Sequence, residues 1–325
     1  MKKNRVGLSL LAFSLSLLLS CSSAGTELIR IPPGSTVRAA AESLSAHGVI
    51  RSRAWFRFRA RWAHLDRNLK AGIYQFARHE SDDAIIAALA GGRSMRLRIT
   101  LPIGGTIYDL ARSAETTLGI PRDTLLATAR DTALLHRYRI PGPSAEGWLK
   151  PESFDFGGFD TPREVLSRFV AARLDSWDST WDERAKKAGL DRAGLLTLAS
   201  IVEAEAKDTS ELRRIAAVYR NRMKRGMSLE ADPTIEYAYL LRDGERKGRL
   251  YTKDYDLDSP WNTYLHPGLP PGPIDNPSRG AIEAVLDPAM VSYLYFVSGP
   301  DGKSLFANTL AEHQRNVAKV RREKP

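Results

Sequence analysis

Two glutamates close a long apolar run in this 325-residue chain, and they are its clearest chemical signal. The run Leu195-Leu196-Thr197-Leu198-Ala199-Ser200-Ile201-Val202 continues into Glu203-Ala204-Glu205-Ala206. It is apolar around nearly the whole circumference of a helix, which predicts a buried helix. A carboxylate carried into such surroundings is costly unless it is paired or protonated. A glutamate near the C-terminal end of a helix also faces the negative end of the macrodipole, which favours the protonated form. A protonated, half-buried glutamate is what general-acid cleavage of a glycosidic bond requires. Glu205 lies two positions from Glu203, hence on a different side of the helix. The helical wheel alone therefore does not choose between them.

Other chemistries are struck off by what the motifs lack. Gly302-Lys303-Ser304 has no upstream glycine to make a phosphate loop. The six histidines are scattered singly, with no His-Glu-x-x-His, so no metal is expected. No Gly-x-Ser-x-Gly elbow occurs, and no organic cofactor is implied. Carboxylate chemistry remains. Asp232-Pro233 reads as a helix N-cap followed by proline at the first helical position. Trp148, Trp261 and Tyr264 read as core aromatics or as platforms for stacking a sugar.

The elements that must position these groups follow from periodicity and caps. Lys2, Lys3 and Arg5 precede an apolar stretch, Val6 to Leu19, that is short for a membrane span. It ends in Leu18-Leu19-Ser20-Cys21, similar to a lipobox, so residues 1–20 read as a secretory signal and Cys21 as the lipidation site. The body is then expected on the extracytoplasmic side, membrane-anchored through a tether over 21–27, with Ser22 compatible with transfer to an outer membrane. Leu28 to Ile31 predicts a strand, Ser35 or Thr36 caps a helix to about His47, Arg51 to His64 predicts a second helix and Ala71 to Phe76 a second strand. This β-α-α-β layout resembles a LysM-like module, a fold associated with N-acetylglucosamine polymers, and is assigned residues 28–100. Six arginines between Arg51 and Arg67 alternate with Trp55, Phe56, Phe58 and Trp62. Nucleic acid is not an expected partner for an exported protein, so this reads as a solvated helix face or one lying against anionic lipid or wall polymer.

Ile31-Pro32-Pro33-Gly34-Ser35-Thr36-Val37 is echoed by Leu101-Pro102-Ile103-Gly104-Gly105-Thr106-Ile107, both readable as strand end, tight turn and helix cap. Residues 101–325 predict a mostly helical domain with a short hairpin around Pro300-Asp301-Gly302, giving an α+β fold class. Asp191 caps the helix of the two glutamates, and Leu212, Ile215, Tyr219 and Met223 keep helical period in the next. The Pro- and Gly-rich stretch from Lys247 to Asn276 is long enough to suggest a functional loop, and Thr309 with Glu312 forms a capping box.

Several segments together resemble the MltG (YceG-like) endolytic murein transglycosylases over nearly the whole exported chain. They are Ala199-Ser200-Ile201-Val202-Glu203-Ala204-Glu205, Tyr219-Arg220-Asn221-Arg222, Asp232-Pro233-Thr234, Trp261-Asn262-Thr263-Tyr264 and Gly268-Leu269-Pro270-Pro271-Gly272. Glu146-Gly147-Trp148-Leu149-Lys150-Pro151-Glu152 is similar to a further family segment. The resemblance implies that Glu203 protonates the bridging oxygen of the MurNAc-β-1,4-GlcNAc bond. Glu203 then acts as base on the C6 hydroxyl of the same MurNAc, leaving a 1,6-anhydro end and terminating glycan elongation. Asn262, Tyr264, Asp232, Thr234 and Glu146 are implied substrate-binding candidates, with Glu205 in support behind the catalytic group. Peptidoglycan glycan strands, the membrane and peptidoglycan synthases are the expected partners. A hydrolytic muramidase and a non-catalytic wall-binding scaffold are the alternatives. Glu230-Ala231 replaces the family's Gln-Thr, and Ala204 and Ala206 replace its Lys and Thr.

Overall fold

The computed structural model describes residues 25–323, so the signal expected over 1–20 and Cys21 lie outside the described residues. Among these residues no helix is long and apolar enough to cross a membrane. The chain divides into two compact units between Met95 and Arg96. The division precedes the strand at 97–100 rather than following residue 100, because that strand pairs within the second unit.

In the first unit, β1 (Thr26–Ile31) pairs antiparallel with β2 (Gly72–Ala77). Between them lie α1 (Val37–Ala46), α2 (Arg53–Trp62) and the short α3 (Leu65–Asn68), and α4 (Asp82–Gly91) follows β2. Alternate β1 residues Ile29 and Ile31 turn inward, as the period of a half-buried strand requires, to meet Leu44, Phe56, Tyr74 and Ile85.

The second unit is mostly helical, its strands confined to small sheets. β3 (Leu97–Thr100) pairs antiparallel with β4 (Ser153–Phe156). α5 (Ile107–Leu118), α6 (Arg122–Thr128) and α7 (Thr132–Tyr138) lie between these strands. α8 (Pro162–Asp175), α9 (Trp181–Lys187) and α10 (Arg192–Glu205) follow, then α11 (Leu212–Lys224), α12 (Asp232–Asp243) and α13 (Arg279–Leu286). The hairpin of β5 (Tyr295–Ser298) and β6 (Ser304–Ala307) precedes α14 (Leu310–Glu323). α7, α8, α9 and β4 lie in the stretch for which the sequence reading assigned no elements. Thr161 and Glu164 nonetheless form a reciprocal capping box ahead of α8.

α10 is the central helix. Leu195 through Val202 are all buried, and the Asp191 carboxylate caps it by accepting from Gly194 N at 2.7 Å. The echoed segments fold alike. Gly34 and Gly104 take φ of +76° and +68°, a region glycine enters without a Cβ penalty, and Thr36 and Thr106 cap the helices that follow. The second copy lies beside α10, where a Cβ on Gly104 would stand in ordinary contact with Glu203 Cγ at 3.7 Å.

Asn276 fastens three segments. Its amide donates to Gly105 O at 2.9 Å and to Glu146 Oε1 at 2.7 Å, and its carbonyl accepts from Leu149 N at 2.9 Å. The residue is fully buried. Asn276→Ala is expected to cost roughly 3 kcal/mol, because it leaves a buried N–H, a buried carbonyl and a buried carboxyl each one partner short. Urea unfolding at fixed pH measures this, and a loss below about 1 kcal/mol would show that the staple is dispensable.

Candidate active site

α10 ends at its two glutamates, and the ends of its side chains go to different places. Glu203 is half-buried and accepts from Ser278 N at 2.8 Å. Ser278 is the N-cap of α13, so this carboxylate sits at the positive end of a helix dipole. Its other surroundings are the turn at Gly104 and the charges of Arg173 and Asp275. Burial pushes the Asp275 carboxyl well up from its ordinary value.

Glu205, by contrast, lines a cleft of about 580 Å³ together with Tyr219, Arg222, Asp232, Tyr255 and Tyr264. Tyr219 on α11 donates its hydroxyl to Glu205 Oε1 at 2.8 Å. Burial pushes the Glu205 carboxyl up to about 7; the Tyr219 hydrogen bond opposes this, and the nearby Asp232 and Glu236 carboxylates reinforce it. The Tyr219 hydroxyl is itself pushed upward by burial and by the neighbouring Glu205. It remains a donor at neutral pH.

Asp232 faces the same cleft and accepts from Tyr264 Oη at 2.6 Å. Ala231, not Asp232, occupies the N-cap of α12; Asp232 is the first helical residue and Pro233 the second. A carboxylate displaced from the cap position makes no capping bond and is available to the cleft. The Tyr255 and Tyr264 rings meet edge to face at 4.7 Å.

Arg222 braces one wall of the cleft. Its guanidinium donates to Leu294 O at 2.7 Å, to Leu229 O at 2.8 Å and to Glu230 Oε2 at 2.9 Å. It thereby ties α11 both to the segment entering β5 and to the turn before α12. Glu230 in that turn adopts φ +51°.

Three of the residues expected to bind substrate are buried and engaged in the protein's own hydrogen bonds. Asn262 is fully buried, donating to Tyr255 O and Leu257 O, both at 2.9 Å, and accepting from Tyr264 N at 3.0 Å. Its hydrogen bonds are spent on shaping the loop that carries Tyr255 and Tyr264. Thr234 is equally buried and donates to Ala231 O at 2.7 Å. Glu146 is 1% exposed, holds Ile107 N and Asn276, and is pushed up to about 8 by burial. Trp148 is core. Tyr219, Arg222 and Tyr255 are site residues that the sequence reading passed over. In the sequence Tyr219 carries the helical period of α11 and, with Arg222, belongs to a family-like segment, but neither is assigned a role in the site. The signal available was the spacing of three between Tyr219 and Arg222, which puts both on one helix face.

Among the described residues no three His, Cys, Asp or Glu side chains group to hold a metal ion. The cleft thus brings together an elevated carboxyl under a tyrosine hydroxyl, the carboxyl groups of Asp232 and Glu230, two further tyrosines, Arg222 and Arg321, with Lys207 and His313 also in its lining.

Comparison with known proteins gives one consistent answer. The endolytic murein transglycosylase of Bacillus subtilis (strain 168) is 31% identical over 302 residues, which cover 88% of this chain and 82% of that protein. The endolytic murein transglycosylase of Streptococcus pneumoniae (serotype 2, strain D39) is 29% identical over 318 residues. That match covers 89% of this chain but only 57% of the streptococcal protein. A 2.6 Å crystal structure of a yceG-like protein from Listeria monocytogenes superposes with a TM-score of 0.63 at 28% identity, covering 89% of this chain and 98% of the other. With residues 29–319 matched by the YceG-like family as well, the chain belongs to that family.

Proposed function

We propose that this protein is a lyase, an endolytic murein transglycosylase, with Glu205 as its general acid and base. The observation that carries this reading is the pairing of Glu205 with Tyr219 inside the cleft, with the carboxyl raised to about 7. A group poised near neutrality can give up a proton and take one back with little penalty. Glu203 is engaged by the start of α13 and does not line the cleft.

The reaction balances without water. Glu205 donates its proton to the bridging oxygen as the C1–O4 bond of MurNAc-β-1,4-GlcNAc breaks. The resulting carboxylate then removes the proton of the C6 hydroxyl on the same MurNAc while O6 bonds to C1. The products are a 1,6-anhydro-MurNAc end and a free GlcNAc 4-hydroxyl, and Glu205 is again protonated. The attacking oxygen belongs to the reacting sugar, which supplies the rate advantage of proximity. Asp232, held by Tyr264, places negative charge on the cleft wall where the sugar ring becomes oxocarbenium-like.

Cutting within nascent strands would make the protein a terminator of glycan elongation beside peptidoglycan synthases. An N-terminal signal ending at a lipidated Cys21 would hold it at the extracytoplasmic face of a membrane, with the β-α-α-β unit acting as a LysM-like module. Asp232 favours one competing reading, since a second carboxylate is what a hydrolytic muramidase uses to activate water. Mass spectrometry of uncross-linked glycan strands after digestion separates the possibilities. Internal fragments ending in 1,6-anhydro-MurNAc support the transglycosylase. Reducing-end fragments, heavier by one water, identify a muramidase, and intact strands identify a scaffold.

Tyr219→Phe tests the acid through its pH profile. Loss of the O–H removes a bond that stabilises the carboxylate, so Glu205 moves further above about 7. Because the acid works protonated, the alkaline limb of the rate profile is expected to shift to higher pH. An unshifted limb would separate the titrating group from Glu205.

A further inference from the structure

α2 presents an outer face that its own unit leaves uncovered. Phe56 and Ala60 are fully buried against the core. Trp55, Phe58 and Trp62, spaced i, i+3 and i+7, run along the opposite side of the helix. They are 56%, 58% and 81% exposed, and the first two rings stack at 5.7 Å. Arg53, Arg57 and Arg61, spaced four apart, form an exposed second row beside them. Among the described residues none of these three arginines has a carboxylate partner, whereas Arg59, nearer the core, pairs with Asp83. α2 itself contains no acidic residue. A groove of about 580 Å³ between α1 and α2 is lined by Arg38, Arg57, Phe58 and Arg61, with Asp66 as its one acid.

Large exposed aromatics side by side, rimmed by charge, mark an interaction surface rather than ordinary exposure. We propose that this face of α2 docks the first unit onto an anionic phospholipid bilayer. Trp55, Phe58 and Trp62 enter the boundary between headgroups and acyl chains, where tryptophan is enriched. Arg53, Arg57 and Arg61 pair with lipid phosphates, and the groove between α1 and α2 admits a headgroup. Charge complementarity selects this occupant. Wall glycan also carries carboxylates, but it offers no apolar layer for the three exposed rings of Trp55, Phe58 and Trp62 to enter, whereas a bilayer supplies both anionic phosphates and that layer. Chain length agrees: the few residues from Cys21 to Thr26 reach at most roughly 18 Å fully extended. If the N-terminus is membrane-held, as in the proposed function, β1 therefore starts close to the bilayer.

The test uses the full chain reconstituted into vesicles of phosphatidylglycerol and phosphatidylcholine carrying acyl-brominated lipid, which quenches only tryptophans at bilayer depth. Wild-type emission is expected to be quenched, and the W55F/W62F variant to lose that quenching. Exchange of phosphatidylglycerol for phosphatidylcholine, added salt, or R53E/R57E/R61E should each weaken it. All the substituted side chains are exposed, and thermal melting checks that the fold is retained. Equal quenching in wild type and W55F/W62F overturns the proposal, as does equal quenching in anionic and zwitterionic vesicles. Protection of the same emission by uncross-linked glycan strands but not by vesicles would also overturn it and assign the face to wall polymer. None of these readouts depends on glycan cleavage, so the docking surface and the transglycosylase reading fail separately.

Discussion

Glu205→Gln is expected to abolish glycan cleavage, by about 10³-fold or more, while Glu203→Gln leaves a folded enzyme within a few-fold of the starting rate. The first substitution removes the proton donor and the base from the cleft, and glutamine can replace neither. The second keeps an oxygen that can accept from Ser278 N and loses only a charge at the start of α13, worth about 1 kcal/mol. Digestion of uncross-linked strands followed by mass spectrometry reads both variants. A folded, inactive Glu203→Gln beside an active Glu205→Gln would return the acid to Glu203.

The same pair makes a stability prediction with a definite sign. The folded-state value of Glu205, about 7, lies above the ordinary value of 4.5. The folded protein therefore holds this proton more tightly than the unfolded chain does. The stability this contributes is present at low pH and is lost as pH rises through about 7. Glutamine has no proton to lose, so above pH 7 Glu205→Gln should be the more stable protein, by about 1–3 kcal/mol. A gain in stability accompanying a loss of activity is the usual mark of a group kept for chemistry rather than for packing.

Gly147→Ala is expected to be among the most destabilising single substitutions in the second unit, at about 3 kcal/mol or more. Gly147 has φ +81°, a conformation that strains an L side chain. A Cβ there would also come within 3.0 Å of the Pro273 ring, a separation real Cβ atoms essentially never show. The ring cannot rotate away, so the loop carrying Pro273 has to move. That loop is docked on α10 through Ile274 N to Ser200 Oγ at 3.0 Å, and it carries Asn276 into the core. Equilibrium urea unfolding measures the loss. Adding Pro273→Gly to Gly147→Ala should recover the part due to the ring and leave the part due to φ. No recovery would place the whole cost in the backbone conformation.

How much of this was legible in the sequence depended on whether the cause was local. The cap of α10 by Asp191, the paired turns at Gly34 and Gly104, the Thr309–Glu312 box and the burial of Leu195 to Val202 are set within a few residues. Each could be read from spacing. So could the outward aromatic row of α2, which needs only the helical period. The Asp232 cap was read one residue off, because proline is tolerated at the first or the second position of a helix.

The roles of Thr234 and Glu146 were not local. Asn262 bonds only within its own loop, whereas Thr234 meets Thr263 across 29 positions. Glu146 meets Asn276 across 130 positions.

What the sequence determined by itself was the α+β class, the apolar central helix and the presence of two carboxylates at its end, all consequences of short-range periodicity. Which carboxylate faces the cleft was decided only by the tertiary structure. Two residues along a helix turn a side chain by about 200°, and the environment on each side is built by distant elements. α13 supplies a backbone N–H to Glu203, while α11 supplies a tyrosine hydroxyl to Glu205. The poise of an acid is a property of those neighbours, and no window of sequence contains them.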